Sequence, residues 1–151
     1  WDEDGNPVGK PHPSAWVEIY GVSKDSTRNT TAMFPTIMSD LFRSTYKIED
    51  GKEIIRANGG RCRLTAMSGG YRSAEGGRTT FMLLGETQHW TSANGGRNLY
   101  DTVKFNGTKT GSRYLAITNA YLPGEDSVAE TMRTAWEEVN EGRAVDTGLL
   151  G

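Results

Sequence analysis

The feature that most constrains the fold of this chain is a short apolar run that stops at a glycine and an acid. Residues 81–84 are Phe-Met-Leu-Leu, and Gly85 and Glu86 follow at once. An apolar run without polar alternation is typical of a strand buried on both faces, as in parallel sheets. Ligands of open α/β sheets bind beyond the carboxyl ends of the strands. Glu86 is therefore a candidate for chemistry, and the alternative is a buried strand that ends in a polar turn.

Two other segments, residues 15–22 and 114–121, are rich in β-branched and aromatic residues and are predicted strands. An apolar repeat at helical spacing lies between residues 24 and 43, where Pro35 starts or kinks a helix. A second helix is predicted from Asp126 or Ser127 to Val139, with Trp136 in the core. Strands that alternate with helices predict a mainly parallel, three-layer α/β fold.

Two shorter segments, residues 52–57 and 61–67, flank Asn58-Gly59-Gly60 and are predicted to form a β-hairpin. A glycine-rich loop follows at residues 68–78, with four Gly and two Arg in eleven residues. This loop is either a solvated connection or an anion-binding loop, because glycine lets backbone N–H groups approach a phosphate and arginine binds phosphate through two hydrogen bonds. Residues 98–105 are a predicted short helix, and residues 106–111 a turn-rich loop.

The overall composition is that of a single globular domain. The chain has 151 residues, 24% of them charged, and a net charge of −2, so the total charge does not demand a polyanionic partner. No apolar run approaches the roughly 20 residues that a membrane span needs. Two His and one Cys (Cys62) argue against a zinc site and a disulfide framework, and they favour a reducing compartment.

The chain begins at Trp1, its first Met is Met33, and it ends in an apolar segment at Gly151. We expect an internal piece of a longer protein. Residues 1–14 are a predicted lead-in loop, residues 15–145 the body of a domain, and residues 146–151 the start of a linker.

An apolar strand that ends in an acid is what nucleotide hydrolases use to hold magnesium and to position water. Such enzymes also need the phosphate-binding sequence Gly-x-x-x-x-Gly-Lys-Ser/Thr, which is not present here. This chain alone therefore has an incomplete set of the motifs that ATP hydrolysis needs. His89 is a possible base, but no Ser or Cys in a nucleophile-elbow context accompanies it.

Several motifs, taken in order, resemble the ATPase domain of large terminase subunits from tailed bacteriophages and prophages, which package viral DNA. The resemblance covers nearly the whole chain, and the ordered set is more specific than any one motif. The motifs are Trp1-Asp2-x-Asp4-Gly5-x-Pro7, Val22-Ser23-x-Asp25-x-Thr27, Arg72-x-x-Glu75-Gly76-x-Arg78-x-Thr80-Phe81, Glu86-Thr87-x-His89-Trp90 and Thr118-Asn119-Ala120-Tyr121.

This resemblance implies a P-loop NTPase (RecA-like) sheet that carries the hairpin as an insertion, with ATP as substrate and Mg²⁺ as cofactor. Glu86 would be the catalytic glutamate at the end of the Walker B strand, next to Gly85, Thr87 and His89. Thr118 and Asn119 would form the coupling motif that links the state of the nucleotide to DNA movement. Arg72 or Arg78 would be an arginine finger.

The implied partners are double-stranded viral DNA, a portal protein, a small terminase subunit and further copies in a ring. The implied location is the cytoplasm of the bacterial host, without a membrane. In the family the phosphate-loop strand would pair beside the strand ending at Thr118, so without it that strand is expected to form an apolar edge. The family's nuclease domain would lie beyond Gly151.

This chain departs from the family pattern at two positions. Gly85 replaces an acid that helps to hold magnesium, and Gln88 replaces a His of the signature. We therefore keep two alternatives: a non-catalytic α/β interaction module from a decayed prophage terminase, and a nucleic-acid-binding domain. The latter would use the four residues Arg61, Arg63, Arg72 and Arg78.

Overall fold

The computed structural model describes residues 3–5, 12–68, 74 and 78–146. The elements, in chain order, are β1 (Trp16–Gly21), α1 (Lys24–Ile37), α2 (Asp40–Tyr46), β2 (Ile54–Ala57), β3 (Cys62–Ser68), β4 (Phe81–Gly85), α3 (Gly96–Thr110), β5 (Arg113–Ile117) and α4 (Val128–Asn140). A short 3₁₀ turn, Thr87–His89, follows β4.

The strands form one five-stranded sheet in the order β2-β3-β1-β4-β5. β1 pairs in parallel with both β3 and β4, and β4 pairs in parallel with β5. Among the strands of the described residues, the β2–β3 pair alone is antiparallel. The prediction of a mainly parallel α/β sheet is confirmed, although the last strand ends at Ile117 rather than at residue 121.

The predicted hairpin is confirmed as β2 and β3. Its turn contains three consecutive residues with positive φ, Asn58, Gly59 and Gly60, as expected for residue types that tolerate the left-handed region. β3 also pairs with β1, along residues 63–68. The hairpin therefore extends the main sheet and is not a separate appendage.

One face of the sheet carries the main core. Tyr20, Met82 and Leu84 project from β1 and β4, and they pack with Leu99 and Val103 of α3 and with Val128 of α4. Each of these side chains is at most 4% exposed, and burial stabilises such a side chain by about 1.5–3 kcal/mol. The other face is covered near β1 and β3 by α1, because right-handed crossovers in opposite directions place their helices on opposite faces. The three layers are thus helix, sheet and helix.

The helical repeat between residues 24 and 43 does not form one core-facing helix. α1 ends two residues after Pro35, and α2 begins separately with Ser39 as its N-cap; proline removes a helical N–H bond and so favours a break. The buried residues of α1 are Thr27 and Thr31 in its first half. The apolar residues of the repeat lie largely at the surface, with Met33 64%, Ile37 72% and Leu41 77% exposed.

Two further predictions were wrong in detail. The expected loop at residues 106–111 is mostly the last turn of α3, where a Cβ at Gly107 would lie 3.0 Å from Met82 Cε, so a larger residue there would require Met82 to shift. Trp136 is half-buried, with the Arg133 guanidinium 4.4 Å from its ring centroid. Trp90, in contrast, is fully buried.

β5 forms one edge of the sheet, and the face opposite the core is open there. Phe81, Leu115 and Ile117 share this face through the β4–β5 register. Their exposed fractions are 37%, 51% and 54%. The expectation of an apolar edge at the strand before Thr118 is therefore confirmed.

Candidate functional site

The carboxyl ends of β1 and β4 form the point at which the chain reverses its direction across the sheet. From β1 the chain runs through α1 towards β3, whereas from β4 it runs through α3 towards β5 on the opposite side. A crevice opens at such a switch point, and ligands of open α/β sheets bind there. Ser26 follows β1 and Glu86 follows β4, so these two residues lie on either side of the crevice.

Glu86 and Ser26 contact each other across this crevice. Ser26 Oγ donates a hydrogen bond of 2.7 Å to Glu86 Oε2. The Ser26 side chain is held in place because its backbone N–H donates to Ser23 Oγ, the N-cap of α1. The Glu86 carboxylate is thus oriented by the first turn of a helix while its residue remains exposed.

The backbone of Glu86 is in the left-handed region, with φ 57° and ψ 46°. Such a conformation costs a non-glycine residue about 1–2 kcal/mol. Its N–H donates to Ile117 O at 2.8 Å, which ties the turn to the end of β5. A strained, exposed acid at the end of a buried strand is typical of a functional position.

Gln88 connects the turn after β4 with the residues after β5. Gln88 Oε1 lies 2.8 Å from Thr118 Oγ1 and also accepts from the Asn119 N–H at 3.3 Å. The Gln88 N–H in turn donates to Thr118 Oγ1 at 3.1 Å. Thr118 and Asn119, predicted as the coupling pair, therefore contact the segment that carries Glu86. They do so through Gln88, which departs from the family pattern.

Trp90 fixes the base of this turn. Its indole Nε1 donates to Gly85 O at 3.0 Å, and its own carbonyl accepts from the Val128 N–H at 2.8 Å. Gly96 lies so close that a Cβ there would be 2.5 Å from Trp90 Cα. The signal for this anchor was its place at the end of the signature Glu86-Thr87-x-His89-Trp90.

The other predicted residues of this signature differ in their surroundings. Thr87 is fully buried, and its Oγ1 has no hydrogen-bond partner within the described part of the chain. His89 is exposed, and its carbonyl accepts from Asn94 Nδ2 at 2.6 Å. At Gly85 an added Cβ would meet only Tyr20 O, at the ordinary contact distance of 3.7 Å.

Arg78 lies before β4 and is exposed. It therefore lies at the amino-terminal ends of the strands, whereas Glu86 lies at their carboxyl-terminal ends. The five residues of β4 separate these two ends by about 17 Å, at 3.3 Å per residue. The structure does not bring Arg78 to the Glu86 carboxylate within one chain. Arg72 lies outside the described residues.

Over residues 3–5, 12–68, 74 and 78–146, no three His, Cys, Asp or Glu side chains form a group that could hold a metal ion. Within the same residues, no helix has both the length and the apolar character of a membrane span.

The chain is similar to two bacteriophage proteins. It is 39% identical over 157 aligned positions to the "Gene 13 protein" of Mycobacterium phage D29, and 39% identical over 157 positions to the "Gene 13 protein" of Mycobacterium phage L5. Each alignment covers 99% of this chain and 26% of the phage protein, so the chain spans about a quarter of the length of these curated relatives. No protein-family model matches the sequence.

Proposed function

We propose that this chain is the part of a large terminase subunit that carries the catalytic glutamate and the coupling motif of its ATPase. In the intact protein it would hydrolyse ATP and drive double-stranded viral DNA towards a portal protein, together with a small terminase subunit and other copies in a ring. The observation that carries this proposal is the position of Glu86, at the switch point of the sheet and hydrogen-bonded to Ser26.

In this proposal Glu86 orients the attacking water and accepts its proton. The carboxylate suits that task because Ser26 occupies only one of its oxygens with a hydrogen bond of 2.7 Å and the residue is exposed. A positioned general base of this kind contributes about 10²–10⁴-fold to a rate.

The coupling role is supported by the hydrogen bonds of Gln88. Any movement of the Glu86 turn displaces Gln88, and Gln88 is bonded to both Thr118 and Asn119. The end of β5 is therefore mechanically linked to the end of β4. This link is the kind of contact through which the state of a bound phosphate can be passed to a neighbouring segment.

The described residues of this chain do not make a complete site for Mg²⁺. No three candidate ligand side chains come together in the described segments, Gly85 offers no side chain, and the sequence has no Gly-x-x-x-x-Gly-Lys-Ser/Thr loop. We therefore assign no catalytic step of this chain to the metal. The role assigned here is limited to Glu86, Ser26 and the coupling residues.

Two further observations support the proposal. The similar proteins come from bacteriophages and are about four times as long as this chain, since the alignment covers 26% of each. The open face and edge of β5, with Leu115 and Ile117 half-exposed, provide a place where a further strand of P-loop NTPase type would pair in parallel. Arg78 lies at the amino-terminal ends of the strands, away from Glu86. It would therefore act as an arginine finger only on a neighbouring copy in the ring.

ATP turnover by the full-length protein, with and without DNA, tests this function. We expect Glu86→Gln to reduce turnover by about 10²-fold or more, whereas Glu138→Gln, an exposed acid on α4, leaves it unchanged. Gly85→Asp is expected to fold, because the added Cβ has ordinary contacts only. If neither the parent nor Gly85→Asp turns over ATP although both are folded, the proposal is wrong and the non-catalytic interaction module is favoured.

A further inference from the structure

A groove that is separate from the crevice at Glu86 lies at the amino-terminal ends of the parallel strands, called here the amino edge. The groove has a volume of about 700 Å³ and lies between the start of β1, the segment before β4 and the carboxyl end of α3. Its lining includes the cationic side chains of Arg78 and Lys109 and the imidazole of His12, and none of the lining residues in the described part of the chain is acidic. Such a lining favours an anion.

The basic residues at this edge form a cluster without ion pairs to the described residues. Ion pairs in the described part of the chain involve Lys24, Arg28, Arg43, Arg97, Arg133 and Arg143. Five other basic residues meet at the amino edge, because they precede or begin the parallel strands β3, β4 and β5 or end α3: Arg61, Arg63, Arg78, Lys109 and Arg113. None of these five forms an ion pair with a described residue. Their charge is therefore not neutralised by acids of the described segments.

The side chains next to the groove add hydrogen-bond donors. The Arg63 guanidinium lies 3.7 Å from the ring centroid of Trp16, a lining residue, and Arg63 Nε is buried without a partner in the described segments. Thr79 also lines the groove, and its buried Oγ1 has no described partner. Buried polar atoms are normally hydrogen-bonded, so both groups remain available to a ligand or to water.

The carboxyl end of α3 opposes an anion here, because a helix carries partial negative charge at that end. Part of this charge is already compensated: Gly107 O accepts from the N–H groups of Gly111 and Ser112. Lys109 in the last turn offsets it further. The groove therefore remains positive overall.

We infer that this groove is a binding site for phosphate groups. Arginine binds phosphate with two parallel hydrogen bonds, and lysine binds it as a point charge. The basic residues extend from β3 to β5, three strand spacings or about 14 Å, which is wider than a single phosphate. The phosphates can belong to the backbone of a nucleic acid or to a small phosphate-bearing molecule. The inference does not rest on the proposed ATPase, because the groove and Glu86 lie at opposite edges of the sheet.

The test measures binding to the full-length protein without ATP, so that a failure of the proposed motor leaves it unaffected. The probes are a fluorescent single-stranded oligonucleotide and inorganic pyrophosphate, at several salt concentrations. The variant is Arg78→Gln with Lys109→Gln, and both residues are exposed, so the fold is expected to persist. The matched control is Lys47→Gln with Lys52→Gln, which changes the net charge equally at two other exposed positions that form no ion pair with a described residue.

We expect the groove variant to weaken binding of a probe about tenfold or more. The slope of log K against log salt concentration should fall by the amount expected for about two lost phosphate contacts, while the control pair has little effect. Loss of oligonucleotide binding alone identifies a nucleic acid, and loss of pyrophosphate binding identifies a small phosphate-bearing ligand. The inference is overturned if neither probe binds to the parent, or if the groove and control variants weaken binding equally.

Discussion

Gln88 Oε1 and Thr118 Oγ1 lie 2.8 Å apart and join the carboxyl ends of two neighbouring parallel strands. Thirty positions separate the two residues in the sequence. Gln88 is itself only 8% exposed, whereas Thr118 faces solvent. The contact thus connects a buried residue, two positions after the candidate base, with an exposed residue.

Replacement of Gln88 by Met should release the residues after β5. The variant keeps the side-chain length but removes the oxygen that accepts from Thr118 and Asn119. We expect faster amide exchange at Asn119 and a loss of stability of about 1 kcal/mol. Gln88→Glu keeps an acceptor oxygen and should retain the protection of Asn119. Equal exchange rates in the parent and in Gln88→Met would show that the contact does not order this segment.

A second prediction concerns a buried carboxylate on β1. Tyr20 Oη donates to Glu18 Oε2 at 2.5 Å, and the two residues are 2% and 3% exposed. Tyr20→Phe removes this donor and should lower the free energy of unfolding by about 2–3 kcal/mol. The double variant Glu18→Leu with Tyr20→Phe removes both polar groups and should recover part of the loss. Denaturant unfolding measures both values, and strictly additive losses would show that the pair is not coupled.

A third prediction is a loss of stability at alkaline pH. Burial first, and then the hydrogen bond to Glu18, raises the pKa of Tyr20 far above its ordinary 10.0. Burial and the contact with the Tyr114 hydroxyl likewise raise the pKa of Tyr100. In the unfolded chain both phenols lose their protons near pH 10, whereas in the folded chain they keep them. The free energy of unfolding should therefore be fully present below pH 10 and fall as the pH rises above it.

Denaturant unfolding of the parent and of Tyr100→Phe, at neutral pH and above pH 10, measures this effect. Tyr100→Phe should lose less stability between the two pH values than the parent, because one of the two phenols is then absent. An equal loss in both proteins would contradict the assigned role of Tyr100.

A fourth prediction concerns the open edge of the sheet. Leu115 and Ile117 on β5 are 51% and 54% exposed, and an apolar edge strand promotes pairing between copies. In this chain alone, Leu115→Lys should reduce self-association in sedimentation velocity and change the stability by at most about 0.5 kcal/mol. Leu99→Lys, at a core position that is 4% exposed, should instead prevent stable folding. Unchanged self-association of Leu115→Lys would show that copies of the chain do not associate through this edge strand.

The parts of the fold that were predicted correctly depend on signals within a few neighbouring residues. The apolar run before Gly85 predicted a strand, and Asn58-Gly59 predicted a turn, because each sequence restricts its own backbone. The expected burial of that strand on both faces was wrong, since Phe81 is 37% exposed. The exposed helix residues Met33 and Ile37 were not predictable in this way. Their spacing indicates a helix, but it does not say whether another element covers the apolar side.

The same distinction applies to the candidate site. Glu86 was found because it ends a strand, whereas its partner Ser26 lies 60 positions earlier and meets it only through the sheet order. The available signal for Ser26 was its place three residues after the helix cap Ser23. The family pattern marks Gln88 only as a missing His, although its amide oxygen accepts from the residues after β5. Contacts of this range depend on topology, which a local pattern does not contain.

The central position of β1 sets the order in which this chain can fold. Both strands that flank β1 are synthesised after it, and its Trp16 pairs with Thr80 across 64 positions. Closing a loop of that length costs chain entropy before the contacts between the two strands form. Such long-range pairing therefore slows folding. During synthesis, β1 should therefore stay without one neighbour until Phe81–Gly85 has left the ribosome. A nascent chain arrested before that point should bind chaperones for exposed apolar segments, and one arrested after it should escape them.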